Sequence, residues 1–308
     1  MLWQILFYDI MAKDMTLYIL ANPYSGQGQS STVISQLENI YEKEQLAIFT
    51  IHRDHRDVDL FEHLLENFEK SHDQLLIVGG DGTLSRALAQ LPAEIPFAYY
   101  PVGTGNDFAN ALQLPDLMGT IALLKNGSPR EINILSYGEG VVVNSMNLGL
   151  GKWAVEKAEQ SRLKRWLNHL KIGQLTYPLF AIEALFKQPK FSVTLEKSDG
   201  SQEEVSDLFL LSLANNRYFG GGVIIWPSAT VFSPHIDLIW TTADNWFMRL
   251  WVVLHLLFKK HEQSPLLHHE KVTKISLKLP QTSTVEVDGE LIRRDQVTLV
   301  SQKRYLYL

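Results

Sequence analysis

From Leu17 to about Leu124, short apolar runs alternate with segments of helical spacing. LYILA (Leu17 to Ala21), LAIFT (Leu46 to Thr50), LLIV (Leu75 to Val78) and FAYY (Phe97 to Tyr100) are continuous apolar runs that read as buried strands. Between them, three- and four-residue spacings mark helices. Val33, Ile34, Leu37, Ile40 and Tyr41 share one helical face behind Ser30 or Ser31 as cap, and Phe61, Leu64, Leu65 and Phe68 share another. A third helix is expected over Leu84 to Leu91 and a fourth from about Asp107. Strand-loop-helix units in this order predict a parallel sheet with helices on both faces and ligands at the carboxyl ends of its strands.

After about Glu131 the period changes. INIL, VVVNSMNL, FSVTLEK, LFLLSLA, IDLIW, KISLKL, STVEV and QVTLVSQ are β-rich runs separated by turn residues, as in an antiparallel sandwich or barrel. Two helical stretches interrupt them, Lys152 to Lys187 and Trp246 to Lys260; within the second, Trp246 to Phe258 is too short to span a bilayer and reads as a buried helix, with a lipid-channel wall as the alternative. The expected organisation is an extension over 1–14, an α/β domain over 15–130, and a β-rich domain over 131–299, with the tail from about 300 to 308 free to return to the first domain. MLWQILFYDI has no basic n-region or small-residue cleavage site, and ten residues cannot cross about 30 Å of hydrocarbon. It reads as a loosely attached extension ahead of Met15, with a packed strand or helix and a membrane-surface anchor as alternatives.

Composition narrows the class. A chain of 308 residues suggests about two domains. With 45% hydrophobic and 20% charged residues and mean hydropathy −0.06, it is neither disordered nor fibrous. Lys and Arg number 28 against 34 Asp and Glu, and the net charge of −6 argues against a nucleic-acid binder. Without cysteine there is no disulfide, thiolate nucleophile or Cys-ligated metal, which fits a reducing compartment.

The chemistry gathers in three glycine-bearing loops, NPYSGQG (Asn22 to Gly28), GGDGT (Gly79 to Thr83) and PVGTGND (Pro101 to Asp107), each just after an expected strand. Glycine lets a backbone approach phosphate oxygens, and the amides of a following helix N-terminus supply donors. Three such loops at one sheet edge describe a polyphosphate cradle. None has the Walker A spacing with its Lys.

At these residues the chain resembles the diacylglycerol kinase catalytic-domain family, in its bacterial lipid kinase branch. The ordered motifs are NPxSG, GGDGT and PxGTxNDFA, followed by FGGG with a Pro and an Ala (Phe219 to Ala229) and by VDGE (Val287 to Glu290). GGDG alone also occurs in NAD kinases and phosphofructokinases; GTGNDFA and the late DGE favour the lipid branch. The resemblance implies a nucleotide-binding α/β domain of the NAD kinase and phosphofructokinase type, joined to a C-terminal antiparallel β-sandwich. It implies ATP and Mg²⁺, with nucleotide contacts from Asn22, Ser25, Gly26, Thr50, Gly79, Gly80, Asp81, Gly82, Thr83, Leu84, Ser85, Thr104, Asn106 and Asp107. Bacterial members assign the proton acceptor to the glutamate of DGE, here Glu290, whereas sphingosine kinases assign it to the Asp of GGDG, here Asp81. Both stay open. Asp81 is also the expected metal carboxylate beside the nucleotide. Asp288 and Gly289 read equally as a hairpin turn.

Two departures stand out. Gln27, Gln29 and Ser30 occupy a region where relatives often carry a base. The family's structural Mg²⁺ segment DGxLD reads SPHID (Ser233 to Asp237), placing a poor ligand, Ser233, at the metal position, so that site is expected to be weak or empty. Between Lys152 and Lys171, six bases (Lys152, Lys157, Arg162, Lys164, Arg165, Lys171) face Glu156 and Glu159, a surface suited either to an anionic bilayer or to solvent. Gly220, Gly221 and Gly222 read either as a close backbone approach or as a β-bulge, and His268 and His269 as exposed. The expectation is an ATP-dependent lipid kinase acting on diacylglycerol or a related lipid alcohol, cytoplasmic and transiently at the inner face of the membrane, compatible with a homodimer. A soluble NAD-kinase-like enzyme and a catalytically weak nucleotide- or lipid-binding regulator are the alternatives.

Overall fold

The computed structural model describes residues 15–23, 25–51, 58–160 and 176–308; the expected extension over 1–14 lies outside them. The chain divides into two units. One holds the chain to Ala109, Gln113–Glu131 and Arg304–Leu308; the other holds Asn110–Leu112 and Ile132–Lys303.

The first unit runs β1 (Leu17–Ala21), α1 (Gln29–Glu38), β2 (Leu46–Thr50), α2 (Val58–Asn67), β3 (Gln74–Gly79), α3 (Asp81–Gln90), β4 (Ala98–Pro101), α4 (Asp107–Leu112) and α5 (Leu117–Asn126). Its strands form a parallel sheet in the order β2-β1-β3-β4. The chain leaves β1 towards β2 and resumes on the other side at β3, so the strand order reverses between β1 and β3. Such a reversal opens the crevice in which α/β sheets bind ligands. The apolar runs became strands because both faces of β1 and β3 are covered, and Leu17, Ile19, Leu20, Leu75, Leu76, Ile77 and Val78 are fully buried.

Three local expectations are corrected. The cap of α1 is Gly28, at φ 93 and with no side-chain cap bond, and not Ser30 or Ser31; Ser30 is fully buried in the first turn. Ile40 lies beyond that helix and is exposed. The third helix begins at Asp81 rather than Leu84, so the GGDGT loop already forms its first turn. At the far end of α3, the buried guanidinium of Arg304 donates to the carbonyls of Leu88 at 2.6 Å and Leu91 at 2.7 Å. The C-terminal residues also exchange main-chain bonds with Phe97, whose N–H donates to Tyr305 and whose carbonyl accepts from Tyr307.

In the second unit, β5 (Pro129–Ser136), β6 (Val141–Val142), β7 (Ser145–Gly149), α6 (Leu150–Gln160), α7 (Thr176–Lys187), β8 (Phe191–Lys197), β9 (Gln202–Leu208), β10 (Leu210–Ala214), β11 (Tyr218–Gly220), β12 (Val223–Ile224), β13 (Ile236–Thr241), α8 (Trp246–Leu257), β14 (His268–Val272), β15 (Lys274–Val287) and β16 (Glu290–Tyr307) follow. A large sheet in the order β14-β13-β10-β7-β15-β16-β5-β6 carries the core, with β8 and β9 branching from β15. Alternation along β10 divides that core: Leu211 and Leu213 join a cluster with Ile236, Leu238 and Val285, while Leu210 and Ala214 pack with Ile239, Val252 and Leu256 on the helix-covered face.

KISLKL and STVEV, read as separate strands, are one strand, β15. LFLLSLA breaks at Phe209 between β9 and β10. QEEVSDL of β9 and HHEKV of β14 escape the apolar pattern because they border the sheet with few residues turned inward.

Candidate active site

The loops after β1, β3 and β4 share one edge of the parallel sheet and interlock through glycine. Gly26, at φ 60, lies so near the Val102 carbonyl that a Cβ would overlap it. A Cβ on Gly103 would stand 2.7 Å from Gly80 Cα and 2.8 Å from Asn106 Oδ1. A Cβ on Gly79 would overlap the Thr83 side chain. The first two loops also join through Ser25 Oγ and Thr83 Oγ1, 3.3 Å apart. Buried Asn22 accepts the Ser25 N–H at its carbonyl, 3.0 Å away, and turns the chain out of β1.

Asp81 stands where these loops meet. Its Oδ2 accepts the main-chain N–H of Asp107 at 2.9 Å and its Oδ1 that of Phe108 at 3.3 Å, so a carboxylate of the second loop caps the helix of the third. Asp107 itself is buried. A Cβ on Gly105 would lie 4.0 Å from Oδ2 of both Asp81 and Asp107. Buried Tyr99 donates its hydroxyl to the Gly79 carbonyl at 3.1 Å, and burial together with the Asp81 charge holds its pKa well above the ordinary tyrosine value. Asn106, at φ 55, donates to the Gly103 carbonyl at 2.8 Å and leaves its Oδ1 buried without a partner.

Two carboxylates and an unpartnered amide oxygen are hard donors of the kind Mg²⁺ takes. The residues therefore fit a magnesium-nucleotide group, with Asp81 and Asp107 the carboxylates able to hold the ion. Thr50 ends β2 opposite Ala21, and Thr104 is exposed on the third loop. Ser85 Oγ donates to the Gly82 carbonyl at 3.3 Å and steadies the first turn of α3. Leu84 is fully buried, so its side chain anchors the helix in the core.

The second unit carries the DGE hairpin. Asp288 (φ 49) and Gly289 (φ 90) form the two-residue connection between paired Val287 and Glu290, as a tight hairpin requires. The turn reading of Asp288 and Gly289 thus holds. Asp288 does more than turn, because its carboxylate accepts the N–H groups of Val143 and Asn144 at 2.8 Å and of Ser145 at 3.2 Å, which fixes the hairpin to the bend between β6 and β7. Glu290, next along, is exposed.

Beneath the hairpin lies Glu286, fully buried. It accepts from Asn147 Nδ2 and from the Gly289 N–H, both at 2.5 Å, and Ser212 donates to Asn147 Oδ1 at 2.6 Å. Burial pushes its pKa up to about 7 against the pull of those two donors. The sequence pattern did not single out Glu286; helix α6 covers its face of the strand, with Gly151 allowing the approach to Asn147 and Phe219. Two buried flanking valines and a following turn were the available signals.

Other expectations fare differently. The Ser233 hydroxyl accepts the His235 N–H at 3.2 Å in a local turn, and the buried Asp237 of the same segment meets His269 Nε2 at 2.6 Å. His269 is therefore partly buried and stacked on Trp226 at 4.1 Å, not exposed as expected; His268 is exposed, beside Trp240. Gly220, Gly221 and Gly222 sit in a bulged hairpin at φ 131, 62 and 82. Of the basic stretch, Lys152 pairs with Glu156 at 3.1 Å and Lys157 lies 4.8 Å from the Trp153 ring centre; Arg162, Lys164, Arg165 and Lys171 lie outside the described residues. The expected buried helix at Trp246 to Phe258 is corrected: α8 buries one face and exposes the other.

Family models match both units. Residues 16–137 match the diacylglycerol kinase catalytic domain, and residues 149–301 match the YegS C-terminal NAD kinase beta sandwich-like domain. The chain belongs to the diacylglycerol kinase family. YtlR of Bacillus subtilis, whose name places it among lipid kinases, is 22% identical over 298 residues, covering 92% of this chain and 96% of its own. A diacylglycerol kinase of Staphylococcus saprophyticus is 27% identical over 229 residues, 73% of this chain and 72% of its own. A solved diacylglycerol kinase structure from Bacillus anthracis shares the fold at TM-score 0.63 and 17% identity, covering 96% of this chain and 97% of that one. In this family setting, the interlocked loops and the DGE hairpin occupy the segments that the resemblance singled out.

Proposed function

We propose that this family member is an ATP-dependent lipid kinase, transferring the γ-phosphoryl group of Mg-ATP to the hydroxyl of a membrane lipid, diacylglycerol or a related lipid alcohol. It works from the cytoplasm at the inner face of the membrane. The observation that carries the reading is the contact of Gly80 with Gly103, with Asp81 capping α4 beside it. Side chains are excluded there, so a phosphate chain can lie against backbone and helix N-termini.

Asn22, Ser25, Gly26 and Gly79 to Ser85 hold the phosphates, and Thr50, Thr104, Asn106 and Asp107 complete the nucleotide site. Asp81 would hold Mg²⁺ or its waters, and the ion would supply neutralisation of charge on the phosphates. Glu290 accepts the proton of the acceptor hydroxyl as its oxygen forms the bond to the γ-phosphorus and the bond to the β-phosphate oxygen breaks, leaving ADP. The exposed hairpin position leaves that carboxylate accessible, while Asp288 and Glu286 below it fix the turn.

The test is incubation of the purified protein with labelled ATP, Mg²⁺ and a panel of lipid alcohols in mixed micelles, with NAD as a soluble control. Label in a lipid product supports the reading. Label in NAD alone, or none in any acceptor while ATP still binds, removes it.

A further inference from the structure

We propose that the exposed face of α7 and α8 is the docking surface for an anionic lipid bilayer. The proposal rests on the lipid-kinase reading, which supplies a substrate resident in a membrane. Among the described residues, large apolar side chains left in water concentrate on these two helices. Phe186 is 64% exposed, Phe247 62% and Phe258 70%, and Trp246, Trp251 and Leu257 are exposed with them. The spacing explains why. Phe247, Trp251, Leu254 and Phe258 recur at helical intervals along one stripe, while Arg249, Val252, Val253 and Leu256 form the opposite, buried stripe. Both faces of the helix are thus apolar, and only one of them is covered.

The face is also preformed. Arg249 reaches under α8 and donates through Nη1 to the carbonyls of Ala184 at 3.2 Å, Leu185 at 3.4 Å and Gln188 at 2.9 Å, where α7 ends. Across the outer surface the rings of Phe186 and Trp246 stack at 5.9 Å. Aromatic side chains held rigidly at the surface suit the headgroup boundary, where a ring meets acyl chains and its polar edge meets water. No described helix is long and apolar enough to cross a membrane, so this face lies on a bilayer instead of spanning it.

Charge selects the occupant. Around this face Lys187 pairs with Glu183 at 3.1 Å and Lys190 with Asp244 at 2.9 Å, and Arg249 is buried, which leaves Lys259 and Lys260 as the exposed bases outside those pairs. Lys259 and Lys260 sit exposed at the end of the aromatic stripe and have no ion-pair partner among the described residues. Two copies meeting through this face would bring like charges together, whereas anionic headgroups attract them.

The decisive experiment is sedimentation of the full chain with vesicles of phosphatidylcholine, with and without phosphatidylglycerol, alongside light scattering without vesicles. Binding to the anionic vesicles is expected. The double substitution Phe247→Ser with Phe258→Ser should lower it by about tenfold or more, and Lys259→Glu with Lys260→Glu should weaken it only where phosphatidylglycerol is present. These side chains are exposed, and an unchanged thermal melt verifies folding. Phosphorylation of a short-chain diacylglycerol below its micellar concentration should survive both pairs, while that of vesicle-borne diacylglycerol falls. Undiminished sedimentation of the serine variant overturns the proposal, and so does a dimer that this variant dissociates in a chain that ignores vesicles. If the wild type phosphorylates no acceptor, the kinase reading fails, and sedimentation still decides the docking face.

Discussion

Asp81 lends its carboxylate to the N-terminus of the helix that begins at Asp107, accepting that residue's N–H at 2.9 Å. A residue of the second glycine loop therefore holds the third loop in place. The Asp81→Asn substitution keeps one acceptor but turns an NH₂ toward a second N–H. It should lower stability by about 1–2 kcal/mol and turnover by about 10² or more. Urea melts and initial rates check the two effects separately; an unchanged melt removes the capping role.

Gly103 tests the interlock. The Gly103→Ala substitution puts a methyl 2.7 Å from Gly80 Cα, and backbone cannot rotate away as a side chain can. The loops must separate, and nucleotide affinity should fall at least about tenfold with a smaller change in global stability. Titration calorimetry with an ATP analogue measures it, and wild-type affinity would show that the loop contact does not shape the site.

Glu290 tests the chemistry. Since it is exposed, Glu290→Gln should leave the melting temperature unchanged while cutting turnover by about 10² to 10⁴, with nucleotide affinity intact. Full activity in the Gln variant assigns the proton to another acceptor, with Asp81 next in line.

Glu286 gives the molecule a pH signature. Its folded pKa is raised to about 7 by burial from an ordinary value of 4.5. Below about 4.5 both folded and unfolded chains hold the proton and nothing is lost. Between the two values only the folded chain holds it, so stability falls as pH rises, reaching a loss of about 3 kcal/mol above pH 7. Glu286→Gln should flatten that slope. Denaturation midpoints at pH 5, 6, 7 and 8 provide the comparison, and parallel slopes in both proteins would place the carboxylate's titration elsewhere.

Much of the site lay open in linear order. The strands of the first unit are runs apolar enough to be buried on both faces, and a tight loop just after a strand needs glycine, so the close-packed Gly79, Gly80 and Gly103 were visible from local rules. The VDGE turn was equally plain, because few residues other than Asp and Gly take two successive positive φ values. Glu286 was not singled out, because strand alternation counts two faces but does not reveal that α6 covers the second. The α8 helix was misread for the converse reason: a run apolar on both sides has no period to show which of them lacks a cover.

What the sequence determined by itself is everything set by a residue and its near neighbours: the parallel and antiparallel halves, the glycine hinges, the acids of GGDGT and VDGE and the family they signal. Tertiary structure alone decided what depends on residues far apart meeting. Examples are Asp81 on the amide of Asp107, Asp288 on three amides near Asn144, and Arg304 on the end of α3. The physical reason is that burial and hydrogen-bond satisfaction are properties of a place, and a place is assembled only when distant segments close around it.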